Sequence, residues 1–186
     1  MRTIYCDTSD LKKVLKKAEG ILEPKTTHAA MASALNRTLT FVGAETKRQV
    51  KGEWAVTKSI SKSVKKKKAT RTKLVAEAIY TGKPIPMFVF KHTAAENMYR
   101  SPVSITIKKS NGMRTHNGSN PALFKAYSGK KIMRKEAGQR NLRTAYTVSI
   151  PQMVASDDVY DVIAKKAEDK LRERLQHELE WRISKL

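Results

Sequence analysis

The chain has 186 residues with 38 Lys and Arg against 17 Asp and Glu, a formal net charge of +21 at pH 7. This length fits one ordinary domain and is enough to bury a continuous core. Residues 24–155 carry 26 basic and 5 acidic side chains, whereas residues 1–23 and 156–186 together carry 12 of each. The basic middle therefore holds the whole net charge, which indicates a large or anionic partner.

Cysteine content and hydropathy give the expected compartment. Cys6 is the only cysteine and cannot form an intramolecular disulfide, so synthesis in the cytoplasm is expected. No apolar run approaches the ~20 residues that span a bilayer. Residues 1–10 also lack the basic-then-apolar order of a signal peptide. We therefore expect neither a membrane partner nor secretion by the usual routes.

Two amphipathic helices are predicted before the basic middle becomes irregular. The first is short, is capped by Ser9 or Asp10, and ends near Gly20. The second runs from about Thr27 to Val50, with apolar side chains recurring every three or four residues. Gly43 weakens this second helix by roughly 1 kcal/mol relative to Ala, so tertiary contacts must hold it together.

The middle of the chain predicts short strands and turns. Strands are predicted at residues 73–81, 103–107, 122–127, 131–135 and 145–150. A short helical turn is allowed at residues 55–64, and turn-forming residues predict a long, mobile hairpin loop at 110–121. Together with the helices, this pattern predicts an α+β domain: a small antiparallel or mixed β-sheet flanked by a long N-terminal and a long C-terminal helix.

The C-terminal amphipathic helix, in residues 156–186, is the clearest predicted element. Ser156 is a good N-cap, and the acids that follow it suit the positive end of the helix dipole. Its apolar residues step by four and therefore wind about 200° around the axis. They are Ile163, Ala167, Leu171, Leu175, Leu179 and Ile183.

One flat surface cannot cover a row that winds so far. We expect the N-terminal half of the row to pack on the sheet, while Leu175, Leu179 and Ile183 meet another element or another subunit. The alternative is that the chain's own first helix covers this second half.

Catalytic chemistry has little support in the sequence. His28, His92, His116 and His177 are scattered without zinc-ligand spacing. There is no phosphate-binding glycine loop and no nucleophile elbow. We therefore expect no enzyme activity, no cofactor and no metal.

Three reactive or acidic side chains have ordinary explanations. Glu77 and Glu96 are isolated acids in a basic region and are expected to pair locally with Lys or Arg. Cys6 has no basic or histidine neighbour in sequence to lower its pKa, so it is expected to be a bystander.

A set of basic residues forms the candidate binding surface. One interpretation is contact with phosphate oxygens, whose affinity falls with salt and carries no sequence preference. The other is a solvated strand edge or a face that meets an acidic protein. Aromatic residues do not alternate with these cations, so stacking on single strands lacks sequence support. The set comprises Arg37, Lys47, Arg48, Lys65, Lys66, Lys67, Lys68, Arg71 and Lys73.

Five short segments in order carry a family resemblance. They are Met31 to Arg37, the basic region through Arg71, Gly82 to Pro86, Pro121 to Phe124, and Ser149 to Met153. In this order, and across roughly residues 28–183, the chain resembles the minor tail protein Z family of tailed phages and prophages.

The resemblance implies a tail completion protein at the head-proximal end of a long, flexible tail, which permits head–tail joining and DNA delivery. It implies virion location after synthesis in the host cytoplasm, other tail and neck proteins as partners, and non-specific contact with phage duplex DNA. It further implies a ring-shaped homo-oligomer, a hexamer if the chain follows similar tail proteins. No catalytic or ligand residues come with the family. Pro84, Pro86 and Pro151 would shape chain reversals, and Asn36 and Arg37 would sit on the long helix near the sheet.

Two other classes of function stay open at this point. A free nucleic-acid-binding protein of nucleoid or ribosome-associated type would use the same basic region and bind duplex or RNA with a steep salt dependence. An enzyme acting on DNA would need clustered acids for metal ions, and the basic middle supplies no obvious set.

Overall fold

The computed structural model describes residues 20, 22–57, 60, 63–94, 103–116, 122–126, 131–135, 138 and 141–185. Long helices lie near both ends, and small antiparallel sheets lie between them, which confirms the predicted α+β class. The predicted helix after Ser9 or Asp10 lies outside the described residues, as do Cys6 and Glu96. The elements are α1 (Pro24–Glu53), β1 (Val64–Lys67), β2 (Glu77–Tyr80), β3 (Lys91–Ala94), β4 (Val103–Thr106), β5 (Arg114–His116), β6 (Ala122–Ala126), β7 (Lys131–Lys135), β8 (Arg143–Thr144), α2 (Ile150–Val154) and α3 (Asp157–Ile183).

The helices α1 and α3 pack against each other in antiparallel orientation. Near the start of α1, Ala30 and Ala34 share an apolar cluster with Leu171, Leu175 and Leu179 of α3. Near its end, α1 joins the main core together with the first half of α3. Small alanine side chains on α1 let the larger leucines of α3 fill the contact.

Two buried glutamates tie the helix pair together by polar contacts. Glu45 of α1 accepts a hydrogen bond from Lys166 Nζ at 2.5 Å. Glu178 of α3 accepts one from Ser33 Oγ at 2.9 Å and one from Arg182 Nη1 at 2.6 Å. Because these acids are almost fully buried, their partners offset the cost of removing the charge from water.

Three small antiparallel sheets, rather than one, complete the domain. Their strand orders are β1–β2, β3–β4–β5 and β6–β7–β8. The two three-stranded sheets contribute buried side chains such as Val103, Ile105 and Ile132, which pack with Met153 of α2 and Ile163 of α3. The main core therefore lies between the sheets and the helix pair.

The first sheet differs from its prediction. The predicted strand at 73–81 is shorter, Glu77–Tyr80, and it pairs with a strand, Val64–Lys67, that contains most of the lysine run. Upstream, residues 54–57 are extended, because Trp54 and Val56 form β-bridges to Lys108 and Phe90. The helical turn allowed at 55–64 lies at the end of that range, where Ser63 N–H donates to Ile60 O at 3.0 Å. In both segments, residues 64–67 and residues 54–57, backbone pairing with another part of the chain makes the segment extended.

Two further segments correct the sequence predictions. Part of the predicted loop at 110–121 is ordered: a 3-10 turn at Lys109–Asn111 and Gly112 at φ 65° reverse the chain, and β5 then pairs with β4. Residues 117–121 of that loop lie outside the described residues. The predicted strand at 145–150 is confirmed in part: residues 145–148 pair with residues 85–87 through backbone hydrogen bonds and a bridge from Tyr146 to Pro86. The strand prediction fails at its end, where α2 begins at Ile150 behind a capping box that joins Ser149 to Gln152.

The winding apolar row of α3 is covered within the chain. Ile163 and Ala167 lie in the main core, while Leu175 and Leu179 are buried against α1. This burial corrects the expectation of a subunit contact at Leu175 and Leu179, because another element of the same chain already covers them. Ile183 remains exposed.

Low pH should destabilise the contact between α1 and α3. Hydrogen bonds from Lys166 and Gln49 lower the pKa of Glu45 below its ordinary 4.5. Burial by itself would raise the pKa of Glu178, but hydrogen bonds from Arg182 and Ser33 lower it overall. Since both folded-state pKa values are lowered, this stabilisation is complete above pH 4.5 and is lost as the pH falls through the folded values.

We therefore expect the free energy of unfolding, measured with urea at several pH values, to fall below about pH 4.5. The double variant Glu45→Gln and Glu178→Gln should lose about 1–3 kcal/mol per site at pH 7 and show a flatter pH dependence in this range. An equally steep acid dependence in the double variant would contradict this assignment.

Candidate nucleic-acid interface

The β1–β2 ribbon is attached to α1 at both of its ends. The Asn36 side chain donates to the Ala69 carbonyl at 3.0 Å and accepts from the Ala69 N–H at 2.8 Å. At the other end, Tyr80 donates its hydroxyl to Thr46 Oγ1 at 2.9 Å. Burial raises the pKa of Tyr80, so the hydroxyl keeps its proton and remains a donor. These contacts hold the lysine run beside the helix.

The ribbon register sets which lysines approach α1. Lys66 lies opposite Ala78, on the face that carries Tyr80, whereas Lys65 and Lys67 point to the other face. A Cβ added to Gly43 would lie only 2.8 Å from Lys66 Nζ. The end of the Lys66 side chain therefore lies against α1 at Gly43, and because this end is flexible it can shift to admit a larger residue.

The three predicted cations of α1 lie on two sides of the helix, one facing the ribbon and the other facing α3. At roughly 100° per residue, Asn36 and Lys47 fall within about 20° of each other around the axis. Lys47 therefore continues the stripe that contacts the ribbon. Arg37 and Arg48 share a second stripe about 100° further around, on the side of α3. All three side chains are exposed.

Three of the nine predicted cations are neutralised within the chain. Arg37 lies 3.3 Å from Glu178, Arg48 3.6 Å from Glu45, and Lys67 3.0 Å from Glu77. The last pair confirms the expected local pairing of Glu77. Within the described part of the chain, the other six have no acidic side chain at ion-pair distance. We call these six the ribbon cations: Lys47, Lys65, Lys66, Lys68, Arg71 and Lys73.

A second cationic region was missed by sequence reasoning. An open groove of about 650 Å³ at the C-terminal end of α1 brings aromatic side chains together with cations. Its residues come from three separate segments, at 51–57, 88–92 and 109. No sequence motif spans these segments, so the sequence gives no signal for the groove. The lining includes Lys51, Trp54, Phe88, Lys91, His92 and Lys109.

The described residues hold no cluster of metal ligands and no helix that could span a membrane. There, no group of three or more His, Cys, Asp or Glu side chains is arranged to hold a metal ion. His28 and His177 are exposed, and His92 Nδ1 lies 2.8 Å from the Phe90 carbonyl. Among the described helices, none is long and apolar enough to cross a bilayer.

The segments that carry the family resemblance have structural contacts. The chain from Gly82 to Pro86 runs beside residues 145–151, with Ile85 N–H donating to Val148 O at 3.2 Å and Thr147 N–H donating to Ile85 O at 2.9 Å. Asn36, from the first segment, fixes the end of the basic region. Comparisons of the chain with protein-family models, curated proteins and solved structures found no match.

Removing the Asn36 amide should loosen the ribbon. In Asn36→Ala, the buried Ala69 N–H loses its acceptor, so we expect the free energy of unfolding to fall by about 1–3 kcal/mol and the ribbon amides to exchange faster. Thr40→Ala, one turn further along, removes only an exposed hydroxyl that donates to Asn36 O. This control should change stability by less than about 0.5 kcal/mol. Equal effects in the two variants would refute the anchoring role of Asn36.

Proposed function

We propose that this chain is a structural tail completion protein of a long-tailed phage, which acts at the head-proximal end of the tail in head–tail joining and DNA delivery. The observation that supports it is the set of ribbon cations, which are held beside α1 without acidic partners in the described residues. The family resemblance supplies the assembly context. The role is non-enzymatic.

The geometry suits contact with a duplex without sequence preference. From Asn36 to Lys47, α1 rises about 16 Å, close to the length of five base-pair steps. Lysines spaced along this distance can meet several phosphates, and phosphate contacts position a protein without reading bases. Such a surface would line the path of DNA through a ring.

Contact with a second copy in the ring would use another part of the surface. Trp181 and Ile183, near the end of α3, are 49% and 39% exposed. Lys185 Nζ lies 4.0 Å from the centre of the Trp181 ring. Tryptophan is among the residues enriched at the centres of protein interfaces. We propose this end of α3 as the contact with a second copy in the ring.

The assembly role can be tested in the source phage or in an induced prophage. Deleting the gene should leave filled heads and full-length tails that fail to produce infectious particles, because the tail end is incomplete. Purified wild-type virions should contain a small, fixed copy number of this chain relative to the major tail protein, measured by quantitative mass spectrometry. Normal infectivity after deletion, or absence from virions, would refute the proposal.

The basic surface can be tested on the isolated protein with duplex DNA of random sequence. Replacing Lys65, Lys68, Arg71 and Lys73 by Gln should weaken binding and reduce the slope of log affinity against log salt by about 3 to 4. The matched control replaces four exposed cations elsewhere by Gln: Lys25, Lys83, Arg143 and Lys165. Equal losses in both variants would show that net charge, and not this surface, carries binding.

A free nucleic-acid-binding protein is the second candidate, since the same ribbon cations support it. It would bind tightly to duplex or RNA outside the virion, and the gene deletion would leave head–tail joining intact. The copy number in virions and the effect of the gene deletion therefore separate the two functions, even if the ribbon-cation variant and its control bind DNA as expected.

A further inference from the structure

We propose that the groove at the C-terminal end of α1 binds single-stranded nucleic acid, with a base stacked on Phe88 and phosphates against the lysines of the groove. The groove is open to solvent and has a volume of about 650 Å³. This inference concerns a surface separate from the ribbon cations and does not depend on the tail assignment.

The groove is built on the extended segment that follows α1. Ala55 is hydrogen-bonded on both sides: its N–H donates to Ile107 O and its carbonyl accepts from Lys91 N–H, each at 3.0 Å. Thr57 also bonds to Val89 O through both its N–H and its hydroxyl. These bonds bring the end of α1, the 3-10 turn Met87–Val89 and Lys109 together around the extended segment, which forms the base of the groove.

The aromatic part of the groove is available to a ligand. Phe90 is buried at 1% exposure, but Phe88, two residues earlier, is 37% exposed. Trp54 forms another part of the wall and is itself almost buried. An exposed ring next to cations is the arrangement on which nucleic-acid bases stack, because every base offers a flat π-face.

The cations of the groove have no acid among its lining residues. Lys109 donates to the Lys51 carbonyl at 2.6 Å, which holds one ammonium group at the end of α1. Lys51 and Lys91 are exposed, so their charges can meet phosphates. The region is therefore complementary to a polyanion.

His92 adds a polar group suited to a base edge. Its Nδ1 lies 2.8 Å from the Phe90 carbonyl, and a carbonyl only accepts, so Nδ1 carries the proton in that bond. In the neutral ring Nε2 is then a hydrogen-bond acceptor. It can accept from a base amino or imino group.

These features favour a single strand over the other anionic partners. In a duplex the base faces are already stacked and cannot reach Phe88, so a duplex would use the ribbon cations instead. An acidic peptide would also meet the lysines, but its apolar contact with position 88 could be made by leucine as well as by phenylalanine. A nucleic-acid base needs the flat ring of Phe88. Stacking on Phe88 therefore distinguishes the single strand from the peptide.

The fluorescence of Trp54 provides a local readout. The chain has two tryptophans, so Trp181→Phe leaves Trp54 as the only one. In this background, titration with a short oligodeoxythymidylate should change Trp54 fluorescence saturably. Phe88→Ala and Phe88→Leu should weaken binding about tenfold, whereas Phe88→Tyr should retain it. Replacing Lys51 and Lys91 by Gln should lower the salt slope by about 1.4.

Controls make each outcome decisive. Tyr146→Ala removes an exposed aromatic residue that does not line the groove, and it should leave the affinity unchanged. Circular dichroism checks that each variant is folded, and Phe88→Leu, which keeps an apolar side chain, carries the test if Phe88→Ala unfolds. Wild-type affinity in Phe88→Leu, or oligonucleotide binding without a Trp54 response, would overturn the proposal. Tighter binding of an alternating Glu and Phe peptide, unaffected by Phe88→Leu, would overturn it in favour of an acidic peptide site.

Discussion

The antiparallel contact between α1 and α3 is the constraint on which the other parts of the fold depend. It buries Leu175 and Leu179 against the alanines of α1, and it buries Glu45 and Glu178 with their cationic partners. The ribbon is fixed to α1, and the main core is completed by the first half of α3. If the two helices separated, both the basic surface and the sheets would lose their support.

The same contact explains how so basic a chain keeps its positive surface. Acids are scarce between residues 24 and 155, and one of them, Glu45, is buried between the helices. Its partners Arg48 and Lys166 therefore belong to the helix pair. Among the described acids, Glu77 pairs with Lys67 of the lysine run, and the ribbon cations face solvent without an acidic partner in the described residues. Self-repulsion of such a surface is relieved by an anionic partner, which is the physical basis for proposing nucleic acid as the partner of this chain.

The two surfaces proposed to bind nucleic acid differ in character. The ribbon cations are five lysines and one arginine, and they suit the phosphates of a duplex. The groove at the end of α1 combines Phe88 with lysines and suits exposed bases. Both are carried by α1, one along its length and the other at its C-terminal end. A protein that lies beside a DNA path could therefore contact both paired and unpaired strands from one helix.

Local chemistry in the sequence determined the long helices, their α+β setting and the concentration of charge. The apolar periodicity predicted α3, and Ser156 marked the residue before its start, although the Ser156 hydroxyl donates to Met153 O and does not cap the helix. All nine candidate cations are exposed because lysine and arginine are costly to bury. Pairings between distant segments had to be seen in the tertiary structure, since no local propensity encodes them. Thus β3 forms through its pairing with β4, and most of the lysine run is a strand because it pairs with Glu77–Tyr80. Leu179 is buried against α1 of the same chain and not against a subunit. The groove has the same origin: Lys51, Phe88 and Lys109 are far apart in the chain, and only the backbone bonds around Ala55 bring them together.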